Sequence, residues 1–435
     1  MNRKQVAMMR STPVVIAAAV AATAAALSGL AALTGTAHAG TAAGTTAAGT
    51  TAKACRAWTG QHPPYAVWLT GVVALSPCDI WATGVPGVNT QAATVTDLLH
   101  WNGAAWTLHT SDTVPASLLP LPSITATSAS DVWVAGSALI DVNPEGLGDA
   151  QTLIAHWNGR ALSRVTSPDP GALPGVNLLS GVSATARNNA WAVGFYSVFD
   201  SSDDTSKTYP LAEHWNGSAW TWVPAAIPQT YGHPSPYAAL SAVQARCGCA
   251  PWAVGNYDAQ VSASGGYRIV TLTERWTGGT WRVAASPNLA GDNQLTAVSA
   301  DSSNDAWAVG HHDGNASQTL AEHWNGHAWK IMPSPSPGRF DGKPDGTLNG
   351  VAAVSPRDAW AVGSYTDGPS GKPQALLLHW NGTSWRQVAL PHFGPKGEPN
   401  VLNSVSASSA GNVIVAGYYS GHAGAGQQAL VLRVG

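Results

Sequence analysis

Hydrophobic and polar residues alternate in short runs between turn residues, and one arrangement of such runs returns along most of the chain. Residues 295–334 contain a complete copy: the runs LTAVSA, AWAVGH, SQTLAEHW and HAWKIM are separated by DSSND, by a variable segment and by Asn325-Gly326. A hydrophobic period of two indicates β-strands, and Asn-Gly between two such runs is typical of a two-residue hairpin loop. Each copy therefore predicts four antiparallel strands.

The Asn-Gly loop also predicts which residues face each other across the hairpin. A two-residue loop pairs Trp324 with His327 and Glu322 with Trp329, so that Leu320, Glu322 and both tryptophans share one face. Trp324 and Trp329 would then be diagonal neighbours whose rings pack together and hold adjacent repeats in contact. The same spacing occurs in six hairpins: Trp101/Trp106, Trp157/Leu162, Trp215/Trp220, Trp276/Trp281, Trp324/Trp329 and Trp380/Trp385.

Besides the HWNG-type hairpin, a second recurring motif (phrase), typified by DAWAVG, precedes each hairpin and sets the period of the repeat at about 55 residues. Gly, Pro, Thr, Val and Trp are abundant throughout, which favours β structure with many turns. This period and composition together favour the blades of a β-propeller over a helical solenoid. The phrase is centred on Trp81, Trp133, Trp191, Trp252, Trp307, Trp360 and Ile414.

The last copy begins at Leu402 and contains three predicted strands before Gly435. The segment RAWTGQHPP at 56–64 has the pattern of a fourth strand, so we expect Arg56 to Gln61 to complete the last blade and remove an open edge. The predicted fold is therefore all-β: a seven-bladed β-propeller of four-stranded antiparallel blades, closed by an N-terminal strand that completes the last blade.

These repeats resemble the kelch repeat, in which a glycine pair ends the second strand and two aromatic residues bracket the turn between the third and fourth. Val362-Gly363 stands at the place of the glycine pair, and Trp380 with Trp385 forms the bracket. A single glycine replaces the pair, so the repeat is kelch-like. The phrases DAWAVG and HWNG are also similar to repeats of proteins exported by actinobacteria. The resemblance covers residues 55–435; it implies the propeller fold and hardly constrains an activity.

The N-terminal segment has the features of a secretory signal peptide. A positively charged start precedes an apolar run over 14–33, and a small-residue site ends at Ala39. We expect residues 1–39 to be removed after Ala39, which makes the protein secreted and extracellular; a retained run would instead anchor it in a membrane. Residues 40–54 are a low-complexity Thr/Ala/Gly linker, and residues 55–435 form the propeller.

The charge of the chain constrains its partners. Charged residues make up 10% of the chain, and the formal net charge is −3. The absence of a basic stripe argues against a nucleic-acid or anionic membrane partner. We therefore expect a monomer that binds an unknown extracellular ligand, a glycan or a protein, and that has no membrane contact after cleavage.

An even number of cysteines in an exported chain suggests disulfides. One scheme closes Cys247 on Cys249 and leaves Cys55 to pair with Cys78; the alternative is that the tight Cys-Gly-Cys segment leaves thiols free. A zinc site is disfavoured because no histidine spacing supports it.

A ligand site is expected on one face of the propeller. The connections between strands one and two, and between three and four, are short and uniform, whereas those on the opposite face are long and varied. We call the latter the long-loop face, and variable loops on a rigid scaffold are where binding usually resides. The ligand-binding candidates there are Phe195, Tyr196, Tyr257, His311, His312, Tyr365, Tyr418 and Tyr419. The recurring position of Tyr196, Tyr257, His312, Tyr365 and Tyr419 favours packing at the channel mouth, so Phe195, His311 and Tyr418 are the better candidates for stacking on a flat ligand.

Metal sites have little support. The segment DVNPEG resembles the first half of a calcium loop through Asp141, Asn143 and Glu145, but Thr152 stands where the last acid ligand is expected, so an ordinary turn is favoured. The five third-strand histidines lie off the propeller axis and cannot share one metal: His100, His156, His214, His323 and His379. No cofactor is expected.

No catalytic motif stands out: G-x-S-x-G, H-E-x-x-H and glycine-rich phosphate loops are all missing from the sequence. The sequence favours an exported, non-catalytic binding or interaction module that uses the long-loop face. The alternative is an extracellular carbohydrate-active enzyme, a hydrolase or lyase, with its site at the channel mouth of the same face. A structural surface protein attached through its N-terminus is a third possibility. Carboxylates of different blades that converge at the channel mouth would favour the enzyme.

Overall fold

The computed structural model describes residues 63, 67–86, 97–111, 114, 122–142, 148–171, 175–200, 205–230, 233–246, 248–261, 266–314, 316–368, 371–391, 393–409, 411–421 and 426–434. The chain separates into two units, residues 1–55 and residues 56–435, and every described residue belongs to the second. The predicted signal peptide, linker and closing strand at 56–61 therefore lie outside the described residues. Within these ranges no helix is long and apolar enough to cross a membrane.

The regular elements within the described ranges are β-strands, most of them in four-stranded antiparallel sheets. We number the strand groups by sequence repeat. Repeat 1 contains β1 Val67–Ser76, β2 Asp79–Pro86, β3 Asp97–Trp101 and β4 Trp106–His109. Repeat 2 contains β5 Ser123–Ser128, β6 Asp131–Val142, β7 Gly148–Trp157 and β8 Leu162–Val165. Repeat 3 contains β9 Val176–Ala186, β10 Asn189–Asp200, β11 Thr205–Trp215 and β12 Trp220–Trp222, and a parallel bridge from Ala150 to Val176 joins it to repeat 2.

The remaining repeats follow the same order. Repeat 4 contains β15 Ala238–Gln244, β16 Trp252–Gln260, β17 Tyr267–Thr277 and β18 Thr280–Ala284. Repeat 5 contains β19 Asp292–Ser302, β20 Asp305–Asp313, β21 Ser317–Trp324 and β22 Trp329–Ile331. Repeat 6 contains β25 Thr347–Ser355, β26 Asp358–Thr366, β27 Pro373–Trp380 and β28 Trp385–Gln387. Repeat 7 has three described strands: β29 Asn400–Ser409, β30 Asn412–Ser420 and β31 Gln427–Val434.

Two small hairpins lie in the connections between repeats. Strands β13 Gln229–Thr230 and β14 His233–Pro234 pair between repeats 3 and 4. Strands β23 Gly338–Phe340 and β24 Lys343–Asp345 pair between repeats 5 and 6. Both therefore belong to connections that the sequence assigns to the long-loop face.

The predicted hairpin register is wrong. Trp324 lies directly opposite Trp329, and Glu322 lies opposite Ile331, so four residues connect the strands. The Asn325 side chain closes this turn, because its Oδ1 accepts the backbone N–H groups of residues 327 and 328 at 3.1 and 3.0 Å. Only the glycine of the Asn-Gly pair adopts a positive φ, whereas a type I′ loop needs two such residues. Two-residue loops with positive φ at both positions do occur, at Gly278-Gly279 and Asp341-Gly342.

Indole pairs hold neighbouring repeats together, as predicted. The rings of Trp380 and Trp385 in repeat 6 lie 5.9 Å apart, and Trp307 of repeat 5 lies 4.9 Å from each of them. Trp307 is fully buried, so each such seam excludes water from three large apolar surfaces. The same three-ring contact joins Trp133 to Trp215 and Trp220, Trp191 to Trp276 and Trp281, and Trp252 to Trp324 and Trp329. In repeat 7, Ile414 takes the place of the tryptophan and packs with Trp101 and Trp106 of repeat 1.

Hydroxyl groups join the first strands of neighbouring repeats. Ser404 Oγ of repeat 7 accepts the Val72 N–H of repeat 1 at 3.1 Å, and Ser299 Oγ of repeat 5 accepts the Ala353 N–H of repeat 6 at 3.0 Å. A strand at the inner edge of a sheet otherwise leaves these N–H groups unpaired. The other contacts of this kind join Ser406 to Ala74, Ser123 to Val182, Thr125 to Ala184 and Ser183 to Ala245.

Neither Cys78 nor Cys249 is a free thiol. Cys55 and Cys247 lie outside the described residues, so the pairing scheme stays a prediction.

Candidate functional site

The first strands surround a cavity of about 580 Å³. A ring of polar residues near its long-loop end is already bonded between repeats: Thr296 Oγ1 donates to Leu348 O at 2.6 Å, and Asn403 Nδ2 donates to Leu69 O at 2.8 Å. The charged lining residues are Arg246 and Asp301, both exposed and at equivalent positions of repeats 4 and 5. Most polar groups of the cavity are thus engaged in holding its wall together.

The repeated histidines have structural partners. His323 Nε2 lies 2.6 Å from Asp305 Oδ1, and its ring lies 4.5 Å from that of Trp307 on the neighbouring strand. The other four histidines repeat both contacts: His100 with Asp79 and Trp81, His156 with Asp131 and Trp133, His214 with Asn189 and Trp191, and His379 with Asp358 and Trp360. In repeat 4 an arginine, Arg275, occupies this position and lies 5.2 Å from the Trp252 ring. Each of these side chains therefore binds and packs against residues of its own repeat.

The tyrosines at the recurring long-loop position are half-buried between repeats. Tyr196, Tyr257, Tyr365 and Tyr419 each pack against a different hydrophobic cluster. Burial raises the pKa of the first three hydroxyls above the usual value. These four rings therefore take part in the packing between neighbouring repeats.

The variable candidates are also half-buried but differ in their surroundings. Phe195 lies opposite Pro210 in the β10–β11 ladder. Tyr418 stacks on Trp68, with ring centres 4.9 Å apart and planes 13° apart. His311 Nε2 lies 4.0 Å from Asp313 Oδ2, and burial lowers the pKa of its imidazole despite that carboxylate. The buried Nδ1 of neighbouring His312 has no hydrogen-bond partner. Together the eight candidates are spread over five repeats and do not form one cluster.

The calcium candidate cannot be assembled from the described side chains. Asp141 lies near the end of β6, while Asn143 and Glu145 lie outside the described residues. Across the described part of the chain, no group of three or more His, Cys, Asp or Glu residues is arranged to hold a metal ion.

A carboxylate pair between repeats 4 and 5 was not predicted. Asp258 in β16 lies opposite Ile269 in the ladder, and Asp292 Oδ1 at the start of β19 accepts the Ile269 N–H at 3.0 Å. The two acids therefore lie at the same level of one seam, near the long-loop end of their strands. Burial, followed by the charge of Asp292, raises the pKa of Asp258 to about 6. One carboxyl can thus hold a proton near neutral pH beside a second carboxylate.

Polar groups surround this pair. Ser235 Oγ donates to the backbone carbonyl of Asp258 at 2.9 Å, and the Asp258 N–H donates to Tyr237 O at 2.9 Å. Burial, followed by the Asp258 charge, raises the pKa of the Tyr237 hydroxyl to about 12. Asn256, two residues before Asp258 on the same strand face, is buried, and a hydrogen bond from its side chain partly offsets the rise in the Tyr237 pKa. The seam therefore combines two acids, a phenol and a buried amide.

Exposed apolar side chains also lie on the long-loop connections. Tyr267 and Val261, on either side of the β16–β17 loop, are each 55% exposed. Phe340, in the β23–β24 hairpin, is 55% exposed as well. Sequence reasoning missed this hairpin, although Asp341-Gly342 between two short runs is a strong hairpin signal.

The sequence matches no family model and no curated protein sequence. Among solved structures, an ulvan lyase of polysaccharide lyase family PL25 has a TM-score of 0.55 at 9% identity, covering 86% of this chain and 96% of that one. The same type of lyase bound to -[GlcA(1-4)Rha3S]- has a TM-score of 0.52 at 9% identity, covering 84% and 91%. YCF48 bound to D1 peptide has a TM-score of 0.44 at 15% identity, covering 86% and 95%. The likeness to the two lyase structures concerns the fold alone, and with the sheets described above it identifies the fold of this chain as a β-propeller.

Proposed function

We propose that the chain is an exported, seven-bladed β-propeller with kelch-like repeats of the actinobacterial DAWAVG and HWNG type, in which residues 56–61 complete the last blade. Seven strand groups follow one another, and repeat 7 has three described strands where repeat 6 has four. The packing of Ile414 against Trp101 and the hydrogen bond from Asn403 to Leu69 bring the last repeat beside the first. These contacts support a closed ring.

Export rests on the N-terminal segment, with cleavage after Ala39. An oxidising location agrees with disulfides between Cys55 and Cys78 and between Cys247 and Cys249. Mass mapping of the secreted protein under non-reducing conditions tests both proposals at once. An intact N-terminus or four free thiols would contradict them.

The function that the geometry supports best is a monomeric binding module whose long-loop face takes an extracellular ligand, a glycan or another surface molecule. The observation that carries this proposal is the exposure of Tyr267 and Phe340 on two connections of that face. Exposed rings leave apolar surface in water, and flat apolar rings suit the C–H faces of sugars. On the opposite face, by contrast, the Asn325 side chain accepts hydrogen bonds from the backbone of its own turn.

The test is binding of the secreted protein to a panel of soluble polysaccharides by affinity electrophoresis. We expect the double variant Tyr267→Ala/Phe340→Ala to lose at least about tenfold in affinity, on the order of 1.4 kcal/mol. His327→Ala, an exposed change in a short turn, is the matched control. A wild-type protein that binds no polysaccharide would refute the glycan assignment, and equal binding by the double variant would refute the location.

The Asp258–Asp292 pair supports a second candidate, a carbohydrate-active enzyme with its site near the channel mouth. A carboxyl with a pKa of about 6 can donate a proton at neutral pH while its neighbour stays ionised. Turnover is measured as new reducing ends for a hydrolase and as ultraviolet-absorbing unsaturated ends for a lyase. Activity that survives Asp258→Asn, or that is lost equally in the exposed control Asp301→Asn, would exclude this pair as its source.

A further inference from the structure

One tryptophan departs from the structural pattern of all the others that the structure describes. Trp222 in β12 is 45% exposed, while the remaining described tryptophans are buried or half-buried. It belongs to neither recurring phrase, so the repeat architecture does not account for it. The residues at the equivalent ladder position of the other repeats are Leu108, Arg164, Val283, Ile331 and Gln387.

One tyrosine contacts this exposed indole, and a second tyrosine packs on the first. Tyr196 lies 6.3 Å from Trp222 with the ring planes at 87°, and it lies 5.4 Å from Tyr209, its partner in the β10–β11 ladder. Both tyrosines are half-buried, so they hold their rings in place while Trp222 stays open to solvent. The corresponding cross-strand pair in repeat 4 is Tyr257 and Val270, which lacks the second aromatic ring.

A buried carboxyl group lies on the same side of the sheet as Trp222. Glu213, the ladder partner of Trp222, is fully buried, and neither of its oxygens has a hydrogen-bond partner. Its counterparts are bonded: Glu274 Oε2 accepts the Ala226 N–H at 2.9 Å, and Glu322 Oε2 accepts from the hydroxyl of Ser286 at 2.7 Å. A buried carboxyl without partners is costly, which sets the repeat 2–repeat 3 seam apart from the other two.

An exposed acid completes the arrangement. Asp169, in the connection between repeats 2 and 3, is exposed, and its Oδ1 accepts the Thr152 N–H at 2.8 Å. A Cβ placed on Gly171, two residues after Asp169, would lie 3.3 Å from the Tyr196 Cβ, so the connection that carries Asp169 runs beside the tyrosine that contacts Trp222. Burial, followed by the charge of Asp169, raises the pKa of Glu213, the residue opposite Trp222, well above its usual value. An exposed carboxylate can accept hydrogen bonds from a ligand that rests on the indole.

We propose that Trp222, with Tyr196 and Tyr209, forms a sugar-binding platform, and that Asp169 accepts hydrogen bonds from the hydroxyls of the bound residue. The ligand class is an uncharged pyranose chain, because a uronic acid would bring its carboxylate towards Asp169. The inference rests on the glycan-binding function proposed above and assigns that function a second location, distinct from Tyr267 and Phe340. The C–H face of the sugar packs on the indole, and its equatorial hydroxyls point outwards to the acid.

The experiment is affinity electrophoresis of the secreted protein in gels containing a neutral glucan, mannan or xylan, or a polyuronate. We expect Trp222→Ala to weaken binding at least about tenfold, Trp222→Phe to retain most of it, and Asp169→Asn to weaken it severalfold. Val283→Ala is the matched control, because Val283 has the same ladder position and is also 45% exposed. Melting temperatures of all variants are measured in parallel to establish that each is folded.

The outcomes separate the two proposals. If no polysaccharide slows the migration of the wild type, the glycan-binding function is refuted. If a polysaccharide slows the wild type and the Trp222→Ala variant equally, the proposed platform is refuted, but the glycan-binding function is not. Retardation by the polyuronate alone would overturn the assignment to an uncharged sugar.

Discussion

His323 and Asp305 form a side-chain bridge across one end of the β20–β21 ladder, with Nε2 and Oδ1 2.6 Å apart. The bridge places the imidazole over Trp307, the same residue that packs on the indole pair of the next repeat. A polar contact on the face opposite the long-loop face is therefore coupled to the apolar seam between repeats.

Removing the imidazole should destabilise the protein. His323→Ala leaves the buried carboxylate of Asp305 without its partner, and we expect a loss of about 1–3 kcal/mol in the free energy of unfolding. Urea unfolding is the measurement, and His327→Ala on the neighbouring turn should change it by less than about 0.5 kcal/mol. A double-mutant cycle with Asp305→Ala should reveal a favourable coupling; additive losses would contradict a direct bridge.

The two kinds of tryptophan should respond differently to truncation. Trp307→Ala opens a cavity at a seam where three indoles meet, and we expect it to cost about 3–5 kcal/mol. Trp222→Ala removes a ring that is 45% exposed and should change the urea midpoint little. Similar losses for both variants would mean that Trp222 has a packing role, which its exposure does not indicate.

The buried glutamates predict a stability that falls as pH rises. Burial raises the pKa of Glu274 and Glu322 from 4.5 to about 8, although each carboxyl accepts one hydrogen bond. The folded state therefore holds protons that the unfolded chain releases above pH 4.5. This contribution is fully present below pH 4.5, and it is lost progressively up to about pH 8. At about 1.4 kcal/mol per pKa unit, each residue contributes on the order of a few kcal/mol.

Substitution separates these groups from other titrating residues. Glu322→Leu is a suitable variant because repeat 6 already has a leucine, Leu378, at the equivalent position. We expect the melting temperature of this variant to vary less between pH 5 and pH 9 than that of the wild type. An unchanged slope in the double variant Glu274→Leu/Glu322→Leu would contradict the assignment.

The proposed closing strand predicts a sharp difference between two truncations. Removing residues 40–54 takes away only the linker and should leave the melting temperature unchanged. Removing residues 40–62 also takes away Cys55 with its proposed disulfide and the strand proposed for the last blade, including its indole at Trp58, and should lower the melting temperature markedly. Equal melting temperatures for the two truncated proteins would refute closure by this segment.

The repeat could be predicted from sequence because its signals are local. The third strand of repeat 5 begins and ends where the alternation predicts, at Ser317 and Trp324. The hairpin register could not, since the Asn325 side chain bonds within its own turn and replaces a two-residue loop with a longer one. The pairing of Asp258 with Asp292 also escaped prediction, because the two residues belong to different repeats and meet only when those repeats pack.

The serine and threonine side chains on the inner strands have a consequence for hydrogen exchange. Backbone amides that border a water-accessible cavity usually exchange quickly, because nothing in the protein holds their protons. Here Val72, Val182 and Ala353 donate to hydroxyls of a neighbouring repeat instead. Their protons can be released only when two repeats separate, so the slowest-exchanging amides on this edge report the opening of the seams themselves.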